Sequence, residues 1–171
     1  MMRINKGFTM VELLITMFIA AILLAFATPS FVDLIERTRV KTTAENVVEL
    51  MRMSRLVAVE NRTIVSVCGS SDSENCDNDW GTSIIAIKRG QDADDADQLL
   101  ASISISEKLS ITKTNQNNPN VDFRVNGWTP WDQTTISICP VDGKEGNAYQ
   151  VVVSQSGKIK MRANLDGESW C

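Results

Sequence analysis

A run of twenty residues without a charged side chain, residues 13–32, constrains this chain more than any other feature. As an α-helix that rises about 1.5 Å per residue, the run is long enough to cross a hydrocarbon core roughly 30 Å thick. A helix buried in a soluble core would normally show polar positions at helical spacing. The sequence therefore predicts that residues 8–32 form a membrane-inserted helix.

The residues before this run allow three interpretations. The first is a plain membrane anchor. The second is a cleaved secretory signal, in which Arg3 and Lys6 form the basic region and residues 25–27 form an A-x-A cleavage site. Glu12 argues against that signal, because a charge is unfavourable where the hydrophobic region would begin. The third is a short leader that ends at Gly7, so that the apolar run follows the cut.

The stretch GFTMVELL, residues 7–14, resembles the class III signal of type IV pilins and type II secretion pseudopilins. The usual form of that signal is G-F-T-[LM]-[IVL]-E-L-L. The resemblance implies that residues 1–7 are a leader peptide and that a prepilin peptidase cuts after Gly7. It also implies methylation of the new amino group on Phe8. Pro29 lies where this family carries a proline.

Glu12 is the residue whose position needs explanation, because a carboxylate at membrane depth costs several kcal/mol unless it is paired. The resemblance of residues 7–14 to this family implies that the acid meets the terminal amine of a neighbouring subunit. Such a pairing would satisfy the charge only in an assembled filament. The alternative is that the Glu12 side chain extends to the membrane interface.

Residues 33–61 are predicted to continue the helix beyond a kink at Pro29. Apolar and small side chains recur there in steps of four and three, which gives an amphipathic helix. The apolar face comprises Val40, Ala44, Val47, Met51, Ser54 and Ala58, widened by Val48, Leu50, Leu56 and Val57. The charged face comprises Glu45, Glu49, Arg52, Arg55 and Glu60. We expect the apolar face to pack on a sheet.

The remainder, residues 62–171, is predicted to be a β-rich globular domain. Short segments rich in β-branched residues are separated by turn signals such as Asn126-Gly127 and Ser156-Gly157. The predicted strands are residues 63–68, 83–88, 99–105, 109–113, 121–125, 135–139, 149–154 and 158–162. Strands that follow one long helix predict an α+β fold, with the helix packed on antiparallel sheet. The order of the strands stays open.

Three further passages resemble the GspH/FimT/FimU branch of the pilin superfamily, in the same order along the chain. They are LMRMSRLVAVENRTIVSVC (residues 50–68), VDFRVNGW (121–128) and VVVSQSGKIKM (151–161). With the leader, they cover most of the chain. The resemblance implies a type IV pilin-like fold and no cofactor.

Four cysteines, Cys68, Cys76, Cys139 and Cys171, all lie beyond the apolar run. An even count in that region predicts disulfides in an oxidising periplasm. Three pairings are open, and we favour Cys68–Cys76, which closes a short loop, with Cys139–Cys171, which ties down the C-terminus. The sequence has no His and no C-x-x-C pair, so we expect no metal site.

Lys158, Lys160 and Arg162 alternate with apolar residues, which places the three cations on one face of a strand. Such a row can meet three phosphates, although the net charge of −4 does not favour nucleic acid overall. The row lies where FimT-like DNA-uptake pilins carry G-R-x-R, here changed to GKIK. Lysine keeps the charge and loses the bidentate fork. The alternative is a solvated edge strand whose lysines oppose aggregation.

These observations favour a minor pilin subunit of a type IV pilus, which helps to initiate or cap assembly in twitching, adhesion or uptake. The implied partners are other major and minor pilins, the prepilin peptidase and the inner-membrane assembly platform. The expected location is the inner membrane, with a single pass and a periplasmic domain, and the pilus after assembly. Alternatives are a DNA-binding minor pilin for transformation, a type II secretion pseudopilin and a secreted periplasmic domain. The chain has no His to serve as a general base, its cysteines are better used as bridges, and paired carboxylates occur only in a loop, so we expect neither catalytic residues nor an enzyme.

Overall fold

A computed structural model describes residues 8–90, 96–114, 118–129, 133–141, 145–164 and 169–171. Residues 25–30 and 145 are described by their backbone. The predicted leader, residues 1–7, and with it the cleavage residue Gly7, lie outside the described residues.

One helix, α1, runs from Met10 to Glu60, close to the predicted bounds of residues 8–61. The helix continues through Pro29, and the kink expected there stays a prediction. The chain divides into two compact units, one ending at Ile35 and the other formed by Glu36–Cys171.

The first unit exposes its apolar side chains. Every described side chain from residue 8 to residue 24 is exposed, and Phe8 is 70% accessible. Within the part of the chain that the structure describes, no helix combines the length and the apolar character needed to cross a membrane. The prediction of a membrane-inserted helix over residues 8–32 therefore rests on the sequence.

The second unit begins with the amphipathic half of α1, and the predicted apolar face of that half is buried. The six residues at steps of four and three all have 0% exposure: Val40, Ala44, Val47, Met51, Ser54 and Ala58. Leu56 was wrongly assigned to this face, because it is 63% exposed. At 100° per residue it lies about 160° round the helix from Val40, on the side away from the core.

Two antiparallel sheets follow the helix, with four strands each, and the order of the strands differs from their order along the chain. In the first sheet the order is β3-β2-β1-β5, from β1 Val65–Ser70, β2 Ser83–Lys88, β3 Gln98–Ser104 and β5 Val121–Phe123. In the second it is β4-β6-β7-β8, from β4 Leu109–Lys113, β6 Thr134–Pro140, β7 Tyr149–Val153 and β8 Ile159–Ala163. A 3₁₀-helix, Glu145–Asn147, precedes β7. The eight predicted strands are all present, with bounds within two residues of those expected.

Both sheets contribute to one core under α1. Inward-facing residues alternate with solvent-facing ones, most clearly in β4, where Leu109, Ile111 and Lys113 are buried. The core joins Met51 of the helix with Phe123 of the first sheet and residues such as Ile136 of the second. Because α1 covers inward-facing positions of both sheets, the predicted α+β fold with a long N-terminal helix is confirmed.

Two disulfides close parts of this unit. Cys68 on β1 is bonded to Cys76, with a sequence separation of 8, and Cys139 on β6 is bonded to Cys171, with a separation of 32. These are the two pairs favoured among the three possible pairings. The second bond ties the last residue of the chain to a central strand of its sheet.

The burial of Met51 gives a direct test of the helix–sheet packing. Met51→Ala removes a fully buried side chain and should lower the free energy of unfolding by about 2–5 kcal/mol. The matched change Leu56→Ala, on the exposed side of the same helix, should cost less than about 0.5 kcal/mol. Urea unfolding of the full chain in a non-ionic detergent, followed by tryptophan fluorescence, measures both. Equal losses would contradict this packing.

Candidate functional site

The start of α1 contains a local hydrogen-bond motif that the sequence analysis missed. The backbone N–H of Glu12 donates to Thr9 Oγ1 at 3.2 Å, and the N–H of Leu13 donates to the Thr9 carbonyl at 3.2 Å. Thr9 thus caps the helix, and T-x-x-E is the spacing of a capping box. The pattern Thr9-Met10-Val11-Glu12 was visible in the sequence, where it was interpreted only as part of a processing signal.

Glu12 is consequently stabilised at its position for a reason independent of assembly. It lies in the first turn of α1, where a carboxylate interacts favourably with the positive end of the helix dipole. Its side chain is exposed, and none of the ion pairs among the described residues involves it.

The three predicted cations lie together on the solvent side of the second sheet. Lys160 and Arg162 belong to β8, and Lys158 directly precedes it, although the predicted strand, residues 158–162, included Lys158. Ser154 N–H donates to the Lys158 carbonyl at 3.0 Å, so the hairpin pairing continues to that residue. All three side chains are exposed. We call Lys158, Lys160 and Arg162 the cation row.

The residues of β7 that face the cation row carry no charge. Val152 is opposite Lys160, and Gln150 is opposite Arg162. An opposite charge directly across a strand pair would partly neutralise each cation. Without such a partner on β7, the row keeps a positive surface that is open to an anion.

Two tight turns meet beside the helix and are fastened by Arg55. Gly127 and Gly157 both have φ of 73°, a conformation that glycine adopts without strain. The Nε of Arg55 donates to the Gly127 carbonyl at 3.0 Å. A Cβ added to Gly157 would lie 1.9 Å from that same carbonyl oxygen, so the two turns are in direct contact.

Thr129 reinforces this junction from the opposite side. Its N–H donates to the Gln155 carbonyl at 2.9 Å, and its hydroxyl donates to the Ser154 carbonyl at 2.8 Å. Sequence reasoning recognised both glycine turns but placed Arg55 on the solvated helix face. The hydrogen bond from Arg55 Nε to the Gly127 carbonyl joins residues 72 positions apart, and no local sequence pattern predicts it.

An open cavity of about 590 Å³ lies between the helix and these turns. Three cations line it, Arg52 and Arg55 of α1 and Lys158 before β8, and none of the lining residues is acidic. Its apolar lining residues are Leu56, Val59 and Ile159. We call this the basic groove, and its charge together with its apolar floor suits an anion that carries apolar groups.

The loop between β1 and β2 is acidic, and its Asp72 and Asp77 carboxylates accept hydrogen bonds from neighbouring residues of the same loop. The Asn75 side chain, followed by the N–H groups of Asn75 and Glu74, holds the pKa of the Asp72 carboxyl well below its ordinary value. The Ser71 hydroxyl lowers the pKa of Asp77 in the same way. Among the described residues, no group of three or more His, Cys, Asp or Glu side chains is arranged to hold a metal ion.

The contact between the two turns predicts a specific sensitivity at Gly157. Gly157→Ala should lower the free energy of unfolding by at least about 1–3 kcal/mol. Alanine is strained in the left-handed backbone conformation of Gly157, and its methyl group would also collide with the Gly127 carbonyl. Gly146→Ala is the control, since a Cβ there meets nothing within 4 Å and should change stability by less than about 0.5 kcal/mol. Urea unfolding with tryptophan fluorescence compares them. A Gly157→Ala protein as stable as the control would show that the turns do not touch.

Two families match the sequence of this chain. The family described as Type II transport protein GspH matches residues 43–157, and the Prokaryotic N-terminal methylation motif matches residues 2–28. A fimbrial protein of Pseudomonas aeruginosa is 34% identical over 73 residues, which are 43% of this chain and 47% of that protein. The chain therefore spans about half the length of the curated relative that it matches.

Two solved structures share the fold. The type IV minor pilin FimU of Pseudomonas aeruginosa strain PAO1 gives a TM-score of 0.59 at 21% identity, covering 75% of this chain and 92% of FimU. The minor pseudopilin EpsH of the type II secretion system of Vibrio cholerae gives 0.55 at 16% identity, covering 73% of this chain and 97% of EpsH. At these identities the likeness concerns the fold alone.

The chain belongs to the GspH family and carries the N-terminal methylation motif ahead of the GspH domain. This combination defines its class as a minor pilin or pseudopilin. The resemblance drawn from residues 7–14 and from the three later passages is thus confirmed.

Proposed function

We propose that this chain is a minor pilin of a type IV pilus, cleaved after Gly7, methylated on Phe8, and active in initiating or capping pilus assembly. The observation that carries the proposal is the order of the two matched families along one chain. The methylation motif covers residues 2–28, and the GspH domain covers residues 43–157, with α1 running through both. The similarity to a fimbrial protein supports a pilus, and a type II secretion pseudopilus is the alternative.

Assembly would use the surface that the isolated chain leaves uncovered. Apolar side chains from Phe8 to Leu24 are exposed, and a surface of that kind is stabilised by burial in a membrane or against other subunits. We propose that this segment anchors the protein in the inner membrane with its globular domain in the periplasm. After cleavage by a prepilin peptidase, the same segment would pack against other major and minor pilins at the assembly platform.

Glu12 would set the register of that packing. Cleavage after Gly7 creates a cationic amine on Phe8, and the exposed Glu12 carboxylate is a suitable partner for the amine of a neighbouring subunit. Pairing removes most of the cost of holding an acid in an apolar environment, so the charge favours the assembled state. Pro29 stays a candidate for the bend that this packing needs.

Glutamine at position 12 allows the charge to be tested separately from helix stability. Glu12→Gln preserves the capping-box spacing but removes the charge, and it should reduce incorporation into filaments at least tenfold. Glu12→Ala should give a comparable loss. Both variants are measured by immunoblotting of sheared filaments against total cell protein, with N-terminal mass spectrometry to establish processing after Gly7.

Glu12→Asp serves as the control, because it keeps the carboxylate at the same position and should retain part of the incorporation. Incorporation of the Glu12→Gln variant into filaments at the wild-type level would contradict the pairing with the Phe8 amine. Cleavage elsewhere than after Gly7, for example before Thr28, would indicate a secretory signal instead.

A second function, binding of DNA for natural transformation, is favoured by one observation. The cation row and the basic groove share Lys158, so five cations, Arg52, Arg55, Lys158, Lys160 and Arg162, lie around one edge of the domain. Lys and Arg groups at phosphate spacing release counterions when they bind the nucleic-acid backbone.

Electrophoretic mobility shift with the full chain in non-ionic detergent tests this second function. Changing Lys158, Lys160 and Arg162 to Gln should weaken duplex binding and lower the slope of log affinity against log salt by about 3. Lys88→Gln with Lys108→Gln is the control, because these cations lie elsewhere on the domain and should leave the slope nearly unchanged. If the unmodified protein gives no mobility shift at low salt, the proposal of DNA binding is ruled out.

A further inference from the structure

We propose that β8 is a docking edge for an extended segment of a partner protein, which adds as a further strand and alternates acidic with apolar residues. The binding goes beyond the proposed function, because it requires only the folded domain and neither processing nor a filament. Three features support this binding: the free edge of β8, the chemistry of its two faces, and the cavity beside it.

The edge is free because β8 ends its sheet. Within the strands that the structure describes, β8 pairs with β7 alone. At the ends of this hairpin, Ser154 N–H donates to the Lys158 carbonyl and Asn164 N–H donates to the Ala148 carbonyl, both at 3.0 Å. Hydrogen-bonded pairs alternate along an antiparallel ladder. The even-numbered residues from 158 to 164 therefore direct their backbone groups toward β7.

The odd-numbered residues direct theirs away from the sheet. The N–H and C=O groups of Ile159, Met161 and Ala163 thus form a row of donors and acceptors at the spacing of a β-ladder. A partner strand can pair with this row without breaking any bond to β7. Strand addition of this kind takes its affinity from the main chain and its specificity from alternate side chains.

The two faces of β8 specify which side chains a partner strand would carry. On the core side, Ile159 packs against the hydrophobic core, and Met161 is 37% exposed. On the solvent side lies the cation row. A strand placed alongside β8 presents alternate residues to these two faces, so apolar residues would meet Met161 and carboxylates would meet Lys160 and Arg162.

The apolar side chains of the partner would enter a cavity that already exists. An open cavity of about 600 Å³ separates α1 from Met161, and Val48, Met53 and Leu56 form its apolar lining, with Glu45, Glu49 and Arg52 of α1 as its charged lining. Leu56 is 63% exposed, although it lies in the half of α1 that packs on the sheets. An added strand would cover Leu56 and Met161 together, since both line this cavity and both are exposed.

The charges exclude a second β8 strand as the occupant. If two copies of β8 paired edge to edge, the cation row of one would face the cation row of the other, and like charges directly opposite are unfavourable. Lysines on an edge strand prevent pairing with similar edges in this way. The same lysines attract an acidic strand, so the row selects its partner by charge.

Fluorescence anisotropy with dye-labelled peptides tests the proposal on the full chain in non-ionic detergent. The probe is the hexapeptide Glu-Val-Glu-Val-Glu-Val with blocked ends. Three control peptides accompany it: Lys-Val-Lys-Val-Lys-Val, the block sequence Glu-Glu-Glu-Val-Val-Val, and the probe with N-methyl groups on alternate residues. We expect saturable binding of the probe and at least tenfold weaker binding of each control.

Variants of the protein assign the binding to β8. Lys160→Glu should weaken probe binding about fivefold, because an attractive cross-strand pair becomes a repulsive one. Lys108→Glu makes the same charge change on an exposed turn and should leave binding unchanged. Met161→Pro removes one outward N–H, a change tolerated on edge strands, and should abolish binding, whereas Met161→Ala should retain most of it.

Each outcome decides the question. Discrimination against the block and N-methylated peptides, together with loss on Lys160→Glu, establishes strand addition at β8. Equal binding of the block and N-methylated peptides would show a general polyanion surface, such as one for DNA, and would overturn the proposal. Failure of the Glu12 experiments leaves this result unaffected, because peptide binding is measured on purified, unassembled protein.

Discussion

The packing of one helical stripe on two sheets is the constraint on which the rest of the globular unit depends. Positions in steps of four and three between Val40 and Ala58 are fully buried, and they contact strands of both sheets. Neither sheet could remove its inward face from water alone, because each has only four described strands and needs another layer to cover that face. The helix therefore acts as the common partner that joins the two sheets into one domain.

A second junction fixes how the helix and the sheets meet. Arg55 donates to the turn at Gly127, and that turn rests on the turn at Gly157, so residues far apart in sequence are held within one small cluster. The cluster positions Lys158 and the beginning of β8 relative to α1. The basic groove and the docking edge thus depend on the same contact, although one is a feature of charge and the other of backbone geometry.

Local periodicity was sufficient to predict the elements of this fold but not their arrangement. The helical stripe and the eight strands follow from spacing, turn residues and β-branched composition, which are properties of neighbouring residues. The order β3-β2-β1-β5 depends on pairings between distant segments, and eight short strands admit many such orders. Leu56 was misplaced because its apolar character outweighed its angular position. The cap at Thr9 was overlooked because the same four residues also form a processing signal.

The disulfide between Cys139 and Cys171 has a mechanical consequence for β8. Among the described strands, β8 pairs with β7 alone, so it is held by fewer main-chain bonds than a central strand. Because Cys171 is covalently fixed to β6, a force applied at Cys171 is carried to the middle of the sheet without passing through β8. The disulfide thereby shields the edge strand from a load applied at that residue.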